Sequence, residues 1–575
     1  MIVLLKLLLF VISTIGSFEL IRRISNNKVN IYFLPSLIIA IQVTILFLAG
    51  ILNLLYEATI ELYLLGFVGI IYSIYKDKNI SFLKNYINVG YTVFLILFLI
   101  LAVYLKGKIF THYDNFSHWA LVVKKMLEVN RYPNFKDTLI KFQEYPLGSA
   151  TYIYFFAKLT SESESVQMLA QCYMMLATIL PLYSFVKKNK LAVSLVIVSF
   201  INYIFLYNIE ITDLLVDTLL PLVGACALFF TYLHCKDGEK INYYLASFYM
   251  VQLIQIKNSG IFFVAFIVLQ MIIFVRKNKD YHKLYLYVSI AIPFISLILW
   301  QKHCNYVYLS AEYSKHAMTI SNFYDVFQGK AIDDIKQIFI SLLKYMVSYK
   351  EVWITFGFIV LTGILIFLTR KELKKSFNKV LTFSIILYIV YGFGMLAMYI
   401  FSMPLNEAIG LASIDRYTKT ILIAILYLNM VITVKIISEL SDKKLVTITA
   451  TLSFVSYFVG MYISSGSINT VVQNEVDSSE RNWIVNVSTK YNVPMYETYC
   501  ILIPSKDSGY TSYLCKYIFQ TNDVTTIVVD SEDDLKEISS KYIFIYDQDN
   551  KIINSWVQAN YPEQYGNEVI IQVEE

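Results

Sequence analysis

From residue 2 to residue 464 the chain alternates long apolar runs with short polar turns. Fourteen runs are long enough to predict bilayer-crossing helices: 2–20, 31–52, 59–75, 86–105, 166–186, 191–207, 214–233, 241–257, 259–275, 284–301, 352–369, 380–401, 418–436 and 445–464. A hydrocarbon core of about 30 Å takes roughly 17–25 mostly apolar residues in a helix. The first run lacks a small-residue cleavage site and a second run follows at once, which predicts a retained helix rather than a cleaved signal. Two longer loops carry their own periodicity. Within 117–129, Trp119, Val122, Val123, Met126 and Leu127 share one helical face, with Lys124, Lys125 and Glu128 opposite. That predicts a helix lying flat on the outer membrane surface. The segment 323–349 has a weaker version of the same pattern.

After residue 465 the pattern changes. Short β-prone runs at 499–503, 525–529, 541–546 and 568–573 are separated by polar, helix-compatible stretches such as 477–490 and 531–540. The expected fold class is therefore an all-α polytopic membrane protein of about 14 transmembrane helices, residues 1–464, with a small C-terminal α/β domain, residues 465–575. There is no evident internal repeat and no glycine-rich phosphate loop.

Composition agrees. Of 575 residues, 57% are hydrophobic and 16% charged, against about 25% charged in soluble domains. The net charge of +5 is small for this length and does not suggest a nucleic-acid partner. Its distribution is more informative. Lys and Arg cluster on alternate loops: Arg22, Arg23 and Lys28; Lys76, Lys78 and Lys84; Lys187, Lys188 and Lys190; Lys236 and Lys240; Arg276, Lys277 and Lys279; Arg370, Lys371, Lys374 and Lys375; Lys443 and Lys444. These loops are expected to be cytoplasmic. The other set, 106–165, 208–213, 302–351, 402–417 and the tail from 465, is then extracytoplasmic. Lysines within 106–165 run against the trend, which long loops tolerate. Abundant Ile, Asn, Lys and Tyr suit a bacterium with an AT-rich genome, and the apolar runs place the chain in its cell membrane. Cys500 and Cys515 share the expected outer domain, where a disulfide is one outcome and two packed thiols the other. No pattern indicates a zinc site.

Ionisable residues recur on the expected outer side, where each calls for a reason. Asp114 sits in THYDNFSH directly after the fourth run, either as a proton acceptor or as a helix N-cap. Glu144 and Tyr145 end the same loop. Glu210, Asp213 and Asp217 follow in NIEITDLLVD; Asp213 and Asp217 share a face if helical. Lys257 lies at the tip of LIQIKNSGIFF and Arg416 opens a descending run in ASIDRYTKT; either could bind an anion or snorkel to the interface. His112 and His118 flank Asp114, but a third metal ligand is lacking. His303, Glu312 and His316 lie on the second large loop.

YDNFSHWALVVKKML, EYPLGSATYIYFF, TDLLVDTLLPL, QIKNSGIFF and SIDRYTKT, in this order between about residues 105 and 435, resemble the C-type (GT-C) superfamily of polytopic glycosyltransferases. The family places its acidic loop after the first span, whereas here it follows the fourth. The resemblance implies transfer of a sugar from a polyprenyl-phosphate-linked donor to a cell-envelope glycan, lipid or protein on the extracytoplasmic face, without a cofactor. Asp114 matches the family's first-loop acid and would be the general base. Lys257 and Arg416 would hold the lipid phosphate, with Glu144, Tyr145, Asp213 and Asp217 as further substrate contacts. The flat helix 117–129 would orient the lipid tail. A flippase or transporter of lipid-linked saccharides is the alternative, and a non-catalytic subunit for polysaccharide assembly a third.

Overall fold

The computed structural model describes residues 2–207, 211–278, 283–308, 320–465, 480–536, 538–564 and 569–573. Glu210, Glu312 and His316 lie outside the described residues. The chain forms two compact units. One comprises 1–107, 126–132 and 143–471; the other comprises 108–125, 133–142 and 472–575.

In chain order the helices up to residue 465 are α1 (Ile2–Ile24), α2 (Leu34–Ile51), α3 (Leu55–Asp77), α4 (Val89–Leu105), α5 (Tyr113–Ser117), α6 (Trp119–Val129), α7 (Gly148–Leu159), α8 (Glu164–Ile179), α9 (Lys190–Tyr207), α10 (Leu219–Phe230), α11 (Lys240–Ile256), α12 (Ile261–Lys277), α13 (Leu284–Val307), α14 (Ile320–Gln328), α15 (Ile332–Ser348), α16 (Lys350–Thr369), α17 (Lys374–Phe401), α18 (Leu405–Ile409), α19 (Ile414–Glu439) and α20 (Lys443–Ser465). Each of the fourteen expected runs coincides with a helix. Among the described residues, nine helical stretches are long and apolar enough to cross a membrane, and three further apolar helices are shorter. The last two runs are α1 and α11. This is a multi-pass membrane protein by its helices.

Close approach at small residues fixes some of the packing. A Cβ at Gly16 of α1 would fall 1.8 Å from the Gly66 carbonyl oxygen of α3, so the two backbones touch where no side chain intervenes. Elsewhere larger side chains interlock: Ile338, Leu342, Leu387, Tyr399, Ile421 and Ile425 join α15, α17 and α19 in one core.

Two expectations need correction. The helix over 117–129 does form, as α6, but Trp119, Val122, Val123, Met126 and Leu127 are all buried inside the protein. Its apolar face is not offered to lipid and cannot guide a lipid tail. Helix α15 divides its apolar residues, with Ile338, Leu342 and Met346 buried and Phe339, Ile340, Leu343 and Val347 exposed. Residues 148–159, read as loop, form α7, which is buried almost throughout and packs against α2, α8 and α11. Its 12 residues are too few for a span by length, and so escaped the hydropathy reading.

The second unit is an α/β fold. Helices α21 (Glu480–Lys490), α22 (Tyr510–Phe519), α23 (Asp533–Lys536) and α24 (Lys551–Asn560) accompany strands β1 (Tyr499–Ile503), β2 (Val524–Val528), β3 (Tyr542–Ile545) and β4 (Ile570–Gln572). The sheet order is β2-β1-β3-β4, with β1 parallel to β2 and β3, and β4 antiparallel to β3. Cys500, Leu502, Ile543, Ile545, Ile553 and Ile571 fill its core. Cys500 and Cys515 are buried free thiols.

The loop segments 108–125 and 133–142 are part of this same unit. Phe116 packs on Tyr510 and Tyr517, and Tyr113 on Tyr513. Lys124 donates to the Tyr517 carbonyl at 2.7 Å, Asn522 donates to Thr138 at 2.9 Å, and Lys125 lies 3.9 Å from Asp137. The lysines that ran against the charge pattern are thus partly absorbed by partners within the unit.

Candidate functional site

The geometry gathers three of the sequence-selected residues in the first unit. Asp217 precedes α10, Lys257 caps the end of α11, and Arg416 lies in the first turn of α19. Lys257 Nζ donates to Asp217 Oδ1 at 2.8 Å. Arg416 donates to Oδ2 from Nη2 at 2.9 Å and from Nε at 3.2 Å. The Thr420 hydroxyl, one turn after Arg416, donates to the Asp217 carbonyl at 3.2 Å. The Tyr417 ring lies 5.3 Å from Lys257 Nζ.

Local sequence explains the placement. The turn Asn258–Gly260 reverses the chain directly after Lys257. A Cβ at Gly260 would sit 2.0 Å from the Leu253 carbonyl oxygen, so no side chain fits there. Lys257 is thereby held at the end of α11, where a cation complements the exposed carbonyls of the last turn.

Electrostatics follow from the count. Among the described residues, two cations, Lys257 and Arg416, are paired with the one Asp217 carboxylate. The Asp217 side chain is only 4% exposed, whereas Lys257 and Arg416 are 21% and 26% exposed. The carboxylate therefore forms the inner part of the cluster and the cations its accessible part. A partner of Arg416 is thus a buried carboxylate. Snorkelling as the sole role of Arg416 is inconsistent with two hydrogen bonds to Asp217.

The remaining candidates sort differently. Residues 211–218 are not helical, so Asp213 and Asp217 share no helical face. Asp213 Oδ1 accepts from the Leu215 N–H at 2.9 Å, and its carbonyl accepts from Gln171, which also reaches the Leu215 carbonyl. Asp213 shapes the approach to Asp217. Glu144 and Tyr145 are half-buried in the turn before α7. Trp300 donates to the Glu144 carbonyl at 2.9 Å, and burial raises the Glu144 carboxyl above its ordinary range. Gly148, just beyond, abuts Gln255, two residues before Lys257.

Asp114 belongs to the second unit, in the first turn of α5. His112, not Asp114, is the N-cap: His112 Nδ1 accepts from the Asp114 N–H at 3.1 Å. Asp114 is half-buried. Burial pushes the His118 imidazole down to about 3, so that ring is neutral at pH 7. Among the described residues no three His, Cys, Asp or Glu side chains gather to hold a metal ion.

Comparison of the chain with protein-family models, curated proteins and solved structures finds no match.

Sequence reasoning missed one polar group beside the cluster. Gln255 is fully buried, and neither amide atom has a hydrogen-bond partner among the described residues. A glutamine inside an apolar run two residues ahead of a lysine was the available signal.

Proposed function

We propose that the protein is a membrane glycosyltransferase that moves a sugar from a polyprenyl-phosphate-linked donor to a cell-envelope acceptor on the extracytoplasmic face. The observation that carries this reading is the convergence of two partly exposed cations, Lys257 and Arg416, 159 residues apart in sequence, on the buried Asp217. Asp217 holds the two cations together, and their exposed sides suit a phosphate group. Charge-assisted hydrogen bonds of this kind contribute roughly 1.5–3 kcal/mol each.

In this reading Asp114 is the general base. The acceptor hydroxyl oxygen forms a bond to the anomeric carbon as the bond from that carbon to the phosphate oxygen breaks. The hydroxyl proton passes to the Asp114 carboxylate, and the lipid phosphate leaves with the electron pair. Cations positioned for the leaving phosphate would strengthen as its charge develops. Because His112 caps α5, Asp114 need not serve as the cap, which favours its chemical role.

The fourteen-span topology is part of the proposal. Residues 108–125 and 133–142 share a compact unit with the C-terminal sheet, so the helices between them should cross an even number of times. Seven long and two shorter apolar helices lie between residues 143 and 471. Adding α11 makes ten, in keeping with the alternating Lys/Arg loops.

The test is transfer by the purified protein from a panel of labelled polyprenyl-phosphate hexoses to cell-envelope glycan. Lys257→Ala is expected to lower kcat/KM at least about tenfold, the equivalent of one such contact. An unchanged kcat/KM would remove Lys257 from donor binding.

A further inference from the structure

The junction of α16 and α17 carries a surface feature the proposed reaction does not use. An open groove of about 740 Å³ is lined by Lys371, Lys374, Lys375, Lys379 and one carboxylate, Glu372, with Phe383 and Ile386 among its apolar walls. That carboxylate is already engaged by Arg370 at 2.8 Å, and Arg370 also pairs with Glu439 at 2.9 Å. Among the described residues none of the four lysines is in an ion pair. Lys371 rests over the Phe367 ring.

Two further observations bear on what fills this place. Lys374 and Lys375 form the first turn of α17, which holds no acidic residue. Cations at a helix N-terminus face the positive end of the helix dipole, so an anion there is favoured on both counts. Second, Lys375, Lys379, Thr382, Ile386, Ile389 and Phe393 follow one another at alternating spacings of four and three, a single helical stripe, and all are exposed. The opposite face, with Leu373, Phe377 and Val380, is packed against α16 and α19.

Length sets the depth. With 28 residues, α17 is about 42 Å long, exceeding a hydrocarbon core of about 30 Å. Its lysine-bearing end therefore projects to headgroup level. From Thr382 to Phe393 the apolar part of the stripe runs about 16 Å, close to one leaflet.

We propose that this groove and stripe form a binding site for an anionic phospholipid, its phosphate among the four lysines and an acyl chain along Ile386, Ile389 and Phe393. The charge complements the headgroup and the exposed stripe complements the chain; a water-soluble phosphate would use only the first. Basic pockets at helix ends commonly hold such headgroups. The site is independent of the proposed sugar transfer.

Native mass spectrometry of the purified full chain, titrated with cardiolipin in phosphatidylcholine nanodiscs, tests this. Replacing the four lysines with Gln should weaken cardiolipin retention about tenfold or more, since each lysine near an anionic headgroup contributes several-fold. Lys187, Lys188 and Lys190 changed to Gln together should leave retention nearly unaltered. Glycerol phosphate in excess should not displace the lipid. Should the fourfold variant not fold, Lys375→Gln with Lys379→Gln at unchanged melting temperature serves, with a several-fold loss expected. Equal loss from the control cluster, retention unaffected by the lysine variants, or displacement by glycerol phosphate would overturn the site.

Discussion

Asp217 illustrates how one carboxylate organises two cations that arrive from different helices. Replacing it with Asn leaves Lys257 and Arg416 adjacent without their shared anion. Removing one partner of a buried pair costs about 3–5 kcal/mol, and partial exposure of the cations puts Asp217→Asn at the lower end. The deficit predicts its own rescue. Added polyprenyl phosphate should raise the melting temperature of Asp217→Asn more than that of wild type, because the ligand would supply the missing charge. Equal shifts in thermal unfolding scans would mean that the phosphate binds elsewhere. At this scale the sequence was readable in part. Lys257, Arg416 and Asp217 stood out because ionisable groups beside apolar runs are costly. That the first two share the third was not readable, since no local pattern links residues 40 and 199 positions apart. Gln255 escaped notice because an uncharged amide hardly disturbs an apolar run.

Amphipathic periodicity tells which helix face is apolar but not what covers it. Helices α6 and α15 have comparable patterns, yet α6 buries its whole apolar face in protein while α15 buries only Ile338, Leu342 and Met346 and exposes Phe339, Ile340, Leu343 and Val347. A tryptophan at Leu343 should therefore be quenched by brominated lipid, whereas one at Val123 should not. Quenching at both positions would contradict the assignment of faces. Hydropathy located all fourteen longer runs because burial and lipid exposure both select apolar residues. It missed α7, whose short buried stretch lies between polar turns. It also started the seventh run too early, since Asp213 and Gln171 bind the backbone of 213–215 and delay α10 until Leu219. The four C-terminal strands were legible because their β-prone runs are bounded by polar turns.

At the scale of the whole molecule, two separated parts of the chain, the loop after α4 and the C-terminal α/β fold, build one compact unit. Cysteines introduced at Thr111 and Asp533, both exposed, should consequently react with a membrane-impermeant reagent in intact cells, and one at Lys78 should not. The six native cysteines are buried, so the background should be low. Labelling at Lys78 but at neither of the others would invert the topology. The central claim is sugar transfer with Asp114 as base, and one measurement addresses it most directly. Purified wild type and Asp114→Asn would be compared for turnover of a labelled polyprenyl-phosphate sugar onto cell-envelope acceptor, alongside their melting temperatures. Asn keeps the size of the side chain but cannot take the proton at neutral pH. Transfer by the variant should fall about 10²–10⁴-fold with stability unchanged. Undiminished transfer by the variant, or a wild type that moves the lipid across a bilayer without transferring its sugar, would contradict the account.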